Sequence, residues 1–172
     1  KERQPGIARI DLATGLVTGK LFSRMGDTIV LDEPAGALWF SNFLDGHVQN
    51  LDTTSMKITA PGLRVHPWPD GVALLDNYNL VVRVETPRKH DPDLFWINTS
   101  SHTQTGVEVE PHPWGNLNAA MEAVPERGEV FLLQTGDDRS TLSAVSSRGV
   151  RKSTLLPGLI WEAAWDSENQ SI

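Results

Sequence analysis

Residues 26–61 read GDTIVLDEPAGALWFSNFLDGHVQNLDTTSMKITAP, and this stretch decides the fold. Its run TIVL (28–31) reads as a buried inner strand. EPAG (33–36) is a turn, because Pro34 presets φ and Gly36 tolerates the left-handed region. ALWFSN (37–42) is a second strand, rich in bulky apolar side chains. Asp45-Gly46 is a strong hairpin signal. HVQNLD (47–52) alternates polar and apolar, as a half-buried third strand does. Thr53, Thr54 and Ser55 turn the chain, and MKIT (56–59) starts a fourth strand. Four antiparallel strands in about 40 residues make one propeller blade.

The pattern repeats. The tripeptide HPW occurs at 66–68 and again at 112–114, a separation of 112 − 66 = 46 residues. Trp161 follows 47 residues after Trp114 and heads WEAAWD (161–166). A period of about 40–50 residues built from strands and turns marks radial repetition. VALL (72–75), LVVRV (80–84), LFWIN (94–98) and VEV (107–109) supply a second set of four strands, with an insert at 85–93. NAAMEA (118–123), EVFLLQ (129–134), TLSAVS (141–146) and KSTL (152–155) supply a third. Helical repeats are excluded, because β-branched runs broken by DG, TG and RG pairs do not build amphipathic helices.

The ends match parts of a blade. IARIDL (7–12) and LVTG (16–19) correspond to the last two strands, and 161–166 to the first alone. The expected architecture is therefore an all-β propeller of four-stranded antiparallel blades, three complete and one partial at each end. Residues 1–21 end a blade, 22–65, 66–111 and 112–158 are blades, and 159–172 start one. An unclosed propeller leaves sheet edges open. Further blades of a longer propeller, a second chain that completes the ring, or a gapped fourth blade made from the two ends would each cover them; the first is the leading expectation.

Composition narrows the function classes. The chain has 172 residues, 39% hydrophobic and 22% charged, enough for one folded domain with a core. Its formal net charge is −7. That disfavours a nucleic-acid footprint or adsorption to an anionic membrane, so neither is expected as a partner. The basic cluster Arg88-Lys89-His90 is flanked by Glu85, Asp91 and Asp93 and reads as a solvated loop. The absence of cysteine excludes disulfides, zinc–thiolate sites and thiol nucleophiles, but does not fix the compartment: a soluble protein, secreted or cytoplasmic, fits equally. No apolar stretch approaches the roughly 18 residues that span a bilayer. No G-x-S-x-G elbow, P-loop, H-E-x-x-H or dinucleotide fingerprint is present.

GDTIVLDEPAGALWFSN and PDGVALLD resemble the D-G-hydrophobic-A-hydrophobic-D segments of six-bladed propellers of the gluconolactonase/senescence-marker type, and of NHL-like and YVTN-type repeats. IWEAAWDSENQSI is similar to the E-G-P-hydrophobic-W-D segment that opens a blade in the gluconolactonase group, with Ala163 and Ala164 in place of its Gly and Pro. LDTTSMKIT and IDLATGLVTG resemble the D-x-x-T-G-K turns of the same superfamily. The resemblance implies a divalent cation, calcium first, at the mouth of the central tunnel. It is held there by an oxygen donor from the start of several inner strands. Carried over residue by residue, the donors are Asp27, Asp70 and Glu162, with Asn116 as a weaker equivalent.

Two readings stand for these residues. Each can ligate a cation, or each can cap the start of an inner strand by accepting from backbone N–H groups, as Asx side chains do in turns. His66 and His112 occupy equivalent positions in adjacent blades. They are candidates for a catalytic base or a pair of metal ligands; repetition in each blade favours the other reading, a blade-opening turn in which proline fixes φ and tryptophan packs between blades. Trp68, Trp114 and Trp161 either stack on a ligand ring or fill wedges between blades, whereas Trp39, Trp96 and Trp165 lie within strands and read as core. Two function classes follow. One is a metal-assisted small-molecule hydrolase of the lactonase kind, in which the cation polarises a carbonyl and binds water. The other is a non-catalytic propeller that presents its loops or tunnel mouth to a small-molecule ligand or a protein. Propellers host both.

Overall fold

The structure is a computed structural model and describes residues 6–21, 28–59, 62–65, 68–85, 91–109, 118–136 and 138–172. Its strands run in chain order as β1 (Gly6–Ile10), β2 (Val17–Leu21), β3 (Ile29–Asp32), β4 (Ala37–Asn42), β5 (His47–Asp52), β6 (Leu63–Arg64), β7 (Pro69–Asp76) and β8 (Asn79–Val84). They continue as β9 (Leu94–Asn98), β10 (Gln104–Val107), β11 (Asn118–Val124), β12 (Glu129–Thr135), β13 (Arg139–Ser146) and β14 (Gly149–Pro157). A 3₁₀ turn, Pro125–Arg127, separates β11 from β12. All pairings between strands are antiparallel and join sequence neighbours, giving the sheets β3-β4-β5-β6, β7-β8-β9-β10 and β11-β12-β13-β14 and the hairpin β1-β2. The fold is thus all-β, built from blade-like four-stranded meanders.

Turn chemistry sets the registers. Gly46 closes the β4–β5 hairpin with φ 66°, and its N–H donates to the Asn42 carbonyl at 3.2 Å. The Asn42 amide in turn donates to the Asp45 carboxylate at 2.7 Å. Gly36, at φ 60°, ends the β3–β4 turn, where the Asp32 carboxylate accepts from the Ala35 N–H at 3.2 Å.

The middle sheet is buried on both faces, and strand alternation sorts its side chains. Leu80, Val82, Val84 and Ile97 pack with Val48, Trp39 and Leu63 of the first sheet. Ala73, Leu75, Val81, Leu94 and Trp96 pack the other way, against Val130, Leu132 and Val145 of the third. A smaller cluster of Ile7, Phe40, Leu51 and Met56 seats the β1-β2 hairpin on the first sheet. Arg9 lies on the same face of β1 as Ile7, and its guanidinium donates to the Thr53 and Thr54 carbonyls at 2.8 and 2.9 Å.

Three segments depart from the sequence reading. The fourth strand of the second sheet was expected at 107–109, but it forms at Gln104–Val107. The fourth strand of the first sheet was expected at 56–59, but Met56 takes a left-handed φ of 57°, completing the turn that Asp52 starts. Only the bridge between Leu51 and Ile58 forms there, and paired strand resumes at Leu63–Arg64. Residues 161–166 do not form a strand, so Trp165 lies outside any β element. Its indole instead stacks on Phe131 (centroids 5.6 Å apart, planes at 23°) and donates to Glu126 at 2.7 Å, with the Arg127 guanidinium 4.7 Å above the ring. Side-chain anchoring of this kind holds the segment without a ladder partner.

Candidate functional site

Among the described candidate residues, Trp68 and Asp70 lie at the beginning of β7. Trp68 precedes the strand with φ 73°, accepts from the Glu85 N–H at 3.0 Å and stacks on Phe43 with centroids 6.4 Å apart. Thr28, just before β3, bridges to β7: its hydroxyl accepts from the Val72 N–H at 2.7 Å. The adjacent sheets are therefore pinned together at the point where their inner strands start.

Asp70 is the candidate ligand described in most detail. Its two carboxylate oxygens accept from Arg83 Nε at 2.8 Å and Nη2 at 2.9 Å, the bidentate fork that planar guanidinium favours. Arg83 and Asp70 side chains are 10% and 20% exposed. A cation approaching Asp70 would meet this fixed positive charge in a partly desolvated setting, where like charges repel strongly. Arg83 was not singled out from the sequence. The signal was nonetheless present: one guanidinium inside the apolar run LVVRV must find a partner if the strand is buried.

Glu162 is exposed, on the segment that forms no strand. Asp27, Asn116, His66 and His112 lie outside the described residues. Among the described residues no group of three or more His, Cys, Asp or Glu side chains could hold a metal ion. Other buried acids are committed to structure: the Asp93 carboxylate accepts from the Val109 N–H at 2.7 Å, and Glu129 is paired with Arg151.

Further acids serve turns. Asp11 accepts from the Ala13 and Thr14 N–H groups at 3.0 and 2.9 Å, Asp52 from Ser55 at 2.6 Å, Asp76 from Tyr78 at 2.8 Å and Asp166 from Glu168 at 3.0 Å. These bonds favour the ionised form. The Thr14 N–H holds the Asp11 carboxyl below its usual range, the Ser55 hydroxyl does so for Asp52, and the Asn79 and Asn169 amides do so for Asp76 and Asp166. Glu122, on β11, goes the other way: burial raises it, and the Trp165 N–H offsets part of the rise.

No protein-family profile matches the chain, and no curated protein sequence matches it. Solved structures do. The hydrazine synthase of Kuenenia stuttgartiensis superposes with a TM-score of 0.65 at 14% identity, covering 88% of this chain and 43% of that one. The extracellular domain assigned to a hybrid two component system of B. thetaiotaomicron superposes at 0.51 and 9% identity, covering 91% and 24%. The chain therefore spans less than half the length of either. At these identities the likeness is one of fold, and together with the four-stranded antiparallel meanders it makes this chain a β-propeller-like all-β protein.

Proposed function

We propose that this chain is a portion of a larger β-propeller and works as a non-catalytic binding module, its loops or tunnel mouth presented to a small-molecule ligand or a protein. The observation that carries this reading is the Asp70–Arg83 pair: the described acid best placed to ligate a tunnel cation is neutralised by a guanidinium instead. The six-bladed ring suggested by the gluconolactonase-like resemblance fits such a role, with further blades or a second chain supplying what three sheets and a hairpin do not. One exposed apolar region supports an incomplete assembly. On the hairpin, Ile10 is 58% exposed and Val17 60%, and they pair across the strands on the face opposite Ile7.

The alternative, metal-assisted lactone hydrolysis, makes a different forecast for one experiment. Thermal unfolding is followed with millimolar calcium, manganese or zinc, alongside hydrolysis of a panel of sugar lactones. A site loaded at 100 times its dissociation constant adds about 2.7 kcal/mol, a rise of roughly 5–10 °C for a chain of this size. The binding-module reading expects no such rise and no turnover above the metal-only background. A saturable rise accompanied by metal-dependent turnover would replace it with the hydrolase.

A further inference from the structure

Between the second and third sheets, at the end opposite the inner-strand starts, lies a cleft of about 320 Å³. One wall is the β7–β8 turn and β9, with Asp76, Asn79 and Asn98; the other is Pro125, Gly128 and Ser147 of the third sheet. Buried Leu75 and Trp96 form its floor. The indole N–H of Trp96 is buried and has no hydrogen-bond partner, although the side chain is only 9% exposed. A buried donor without an acceptor is costly, and native structures rarely leave one unexplained.

We propose that this cleft binds a small, neutral, hydroxyl-rich molecule of the monosaccharide class. Its volume falls at the lower end of the range for small-ligand pockets. The polar wall is held in place before any ligand arrives. Asn79 donates to both Asp76 oxygens at 2.9 and 2.7 Å, Asn98 donates to Asn79 at 3.3 Å, and Asn98 accepts from the Ser100 and Ser101 N–H groups at 3.1 and 2.8 Å. The Asn98 oxygen is filled by the Ser100 and Ser101 N–H and hydroxyl groups, so the acceptors left for ligand hydroxyls are the Asp76 carboxylate and the Asn79 amide oxygen, both already held in place. Among the described residues no lysine, arginine or histidine lines the cleft, which disfavours an anion. The apolar floor suits the C–H face of a sugar ring, and the unpartnered indole N–H belongs to a residue of that floor. The site lies away from the tunnel mouth and does not depend on the reading given above.

The test is calorimetry and saturation-transfer NMR with D-glucose, D-galactose, D-mannose and N-acetylglucosamine, each up to about 50 mM, a ceiling that captures weak binding. At least one is expected to bind saturably. Trp96→Phe keeps an aromatic face but removes the N–H together with one of the two fused rings, and should weaken binding by about 5-fold or more. Ser147→Arg, at an exposed position on the rim, should abolish it without touching the core. If none of the four binds saturably, the indole is satisfied by water alone and the proposal fails. It fails equally if both variants bind as the parent does.

Discussion

Replacing Asp70 by Asn separates the structural role of this residue from a ligand role. The amide keeps the shape and one acceptor oxygen, but loses the charge and turns an NH₂ toward guanidinium donors. Arg83 is only 10% exposed on its side chain and cannot rehydrate in place. Removing one partner of a buried pair costs about 3–5 kcal/mol. Asp70 is 20% exposed, which lets water relieve part of this, so about 3 kcal/mol is expected. For a domain of this size that is a fall of roughly 6–12 °C in melting temperature. Urea unfolding with an unchanged m-value reads the loss directly. The double replacement Asp70→Leu with Arg83→Met, which removes both charges, should recover most of it. If Asp70→Asn lies within about 0.5 kcal/mol of the parent without added metal, the Asp70–Arg83 pair adds little to stability and is no obstacle to a ligand role for Asp70.

Three further outcomes follow from geometry already described. Phe40, fully buried against the β1-β2 hairpin, should cost about 3–5 kcal/mol when cut to Ala, measured by chemical unfolding. Gly106→Ala places a Cβ 2.7 Å from Pro92 Cγ and 3.3 Å from Phe95 Cε1; because the proline ring cannot swing away, a loss of about 1–3 kcal/mol is expected, and a neutral result would mean that β10 shifts freely. Stability against pH should show two opposite signs. The turn acids Asp11, Asp52, Asp76 and Asp166 have folded values below 3.8, so what they add is present above that pH and is lost as pH falls through the folded values. Glu122 is raised, so its carboxyl favours the folded state at low pH and opposes it once ionised; Glu122→Gln should therefore stabilise the protein at pH 7 and have little effect at pH 3 to 4, as acid titrations followed by circular dichroism will show.

Strands flanked by strong turn chemistry were legible from sequence. β4, β5 and β9 occupy the expected spans, because Asp45-Gly46 fixes one hairpin and apolar alternation fixes the rest. The fourth strand of the first sheet was not, since nothing in MKIT announces that Met56 will take a left-handed φ. WEAAWD looked like a strand because apolar and acidic residues mix as they do at an inner-strand start, yet the same residues are satisfied by Trp165 stacking on Phe131. At the candidate site the limit was one of partner choice. An acid at the start of β7 reads equally as a cation ligand or as half of an ion pair. The deciding group, Arg83, is 13 residues away in sequence and adjacent only once β7 and β8 pair.

The unbroken nearest-neighbour order of strands in every sheet bears on how the chain reaches its native state. Among the described residues no ladder waits for a distant part of the polypeptide to be found, so each meander pays the loop-closure entropy of short connections only. Each four-stranded unit can form as a cooperative piece as soon as its own residues are available, and sheet-to-sheet packing then follows between pieces that already hold their shape. The middle unit, gaining from neighbours on both faces, should exchange its amide hydrogens most slowly, and the hairpin at Gly6–Leu21 should open first.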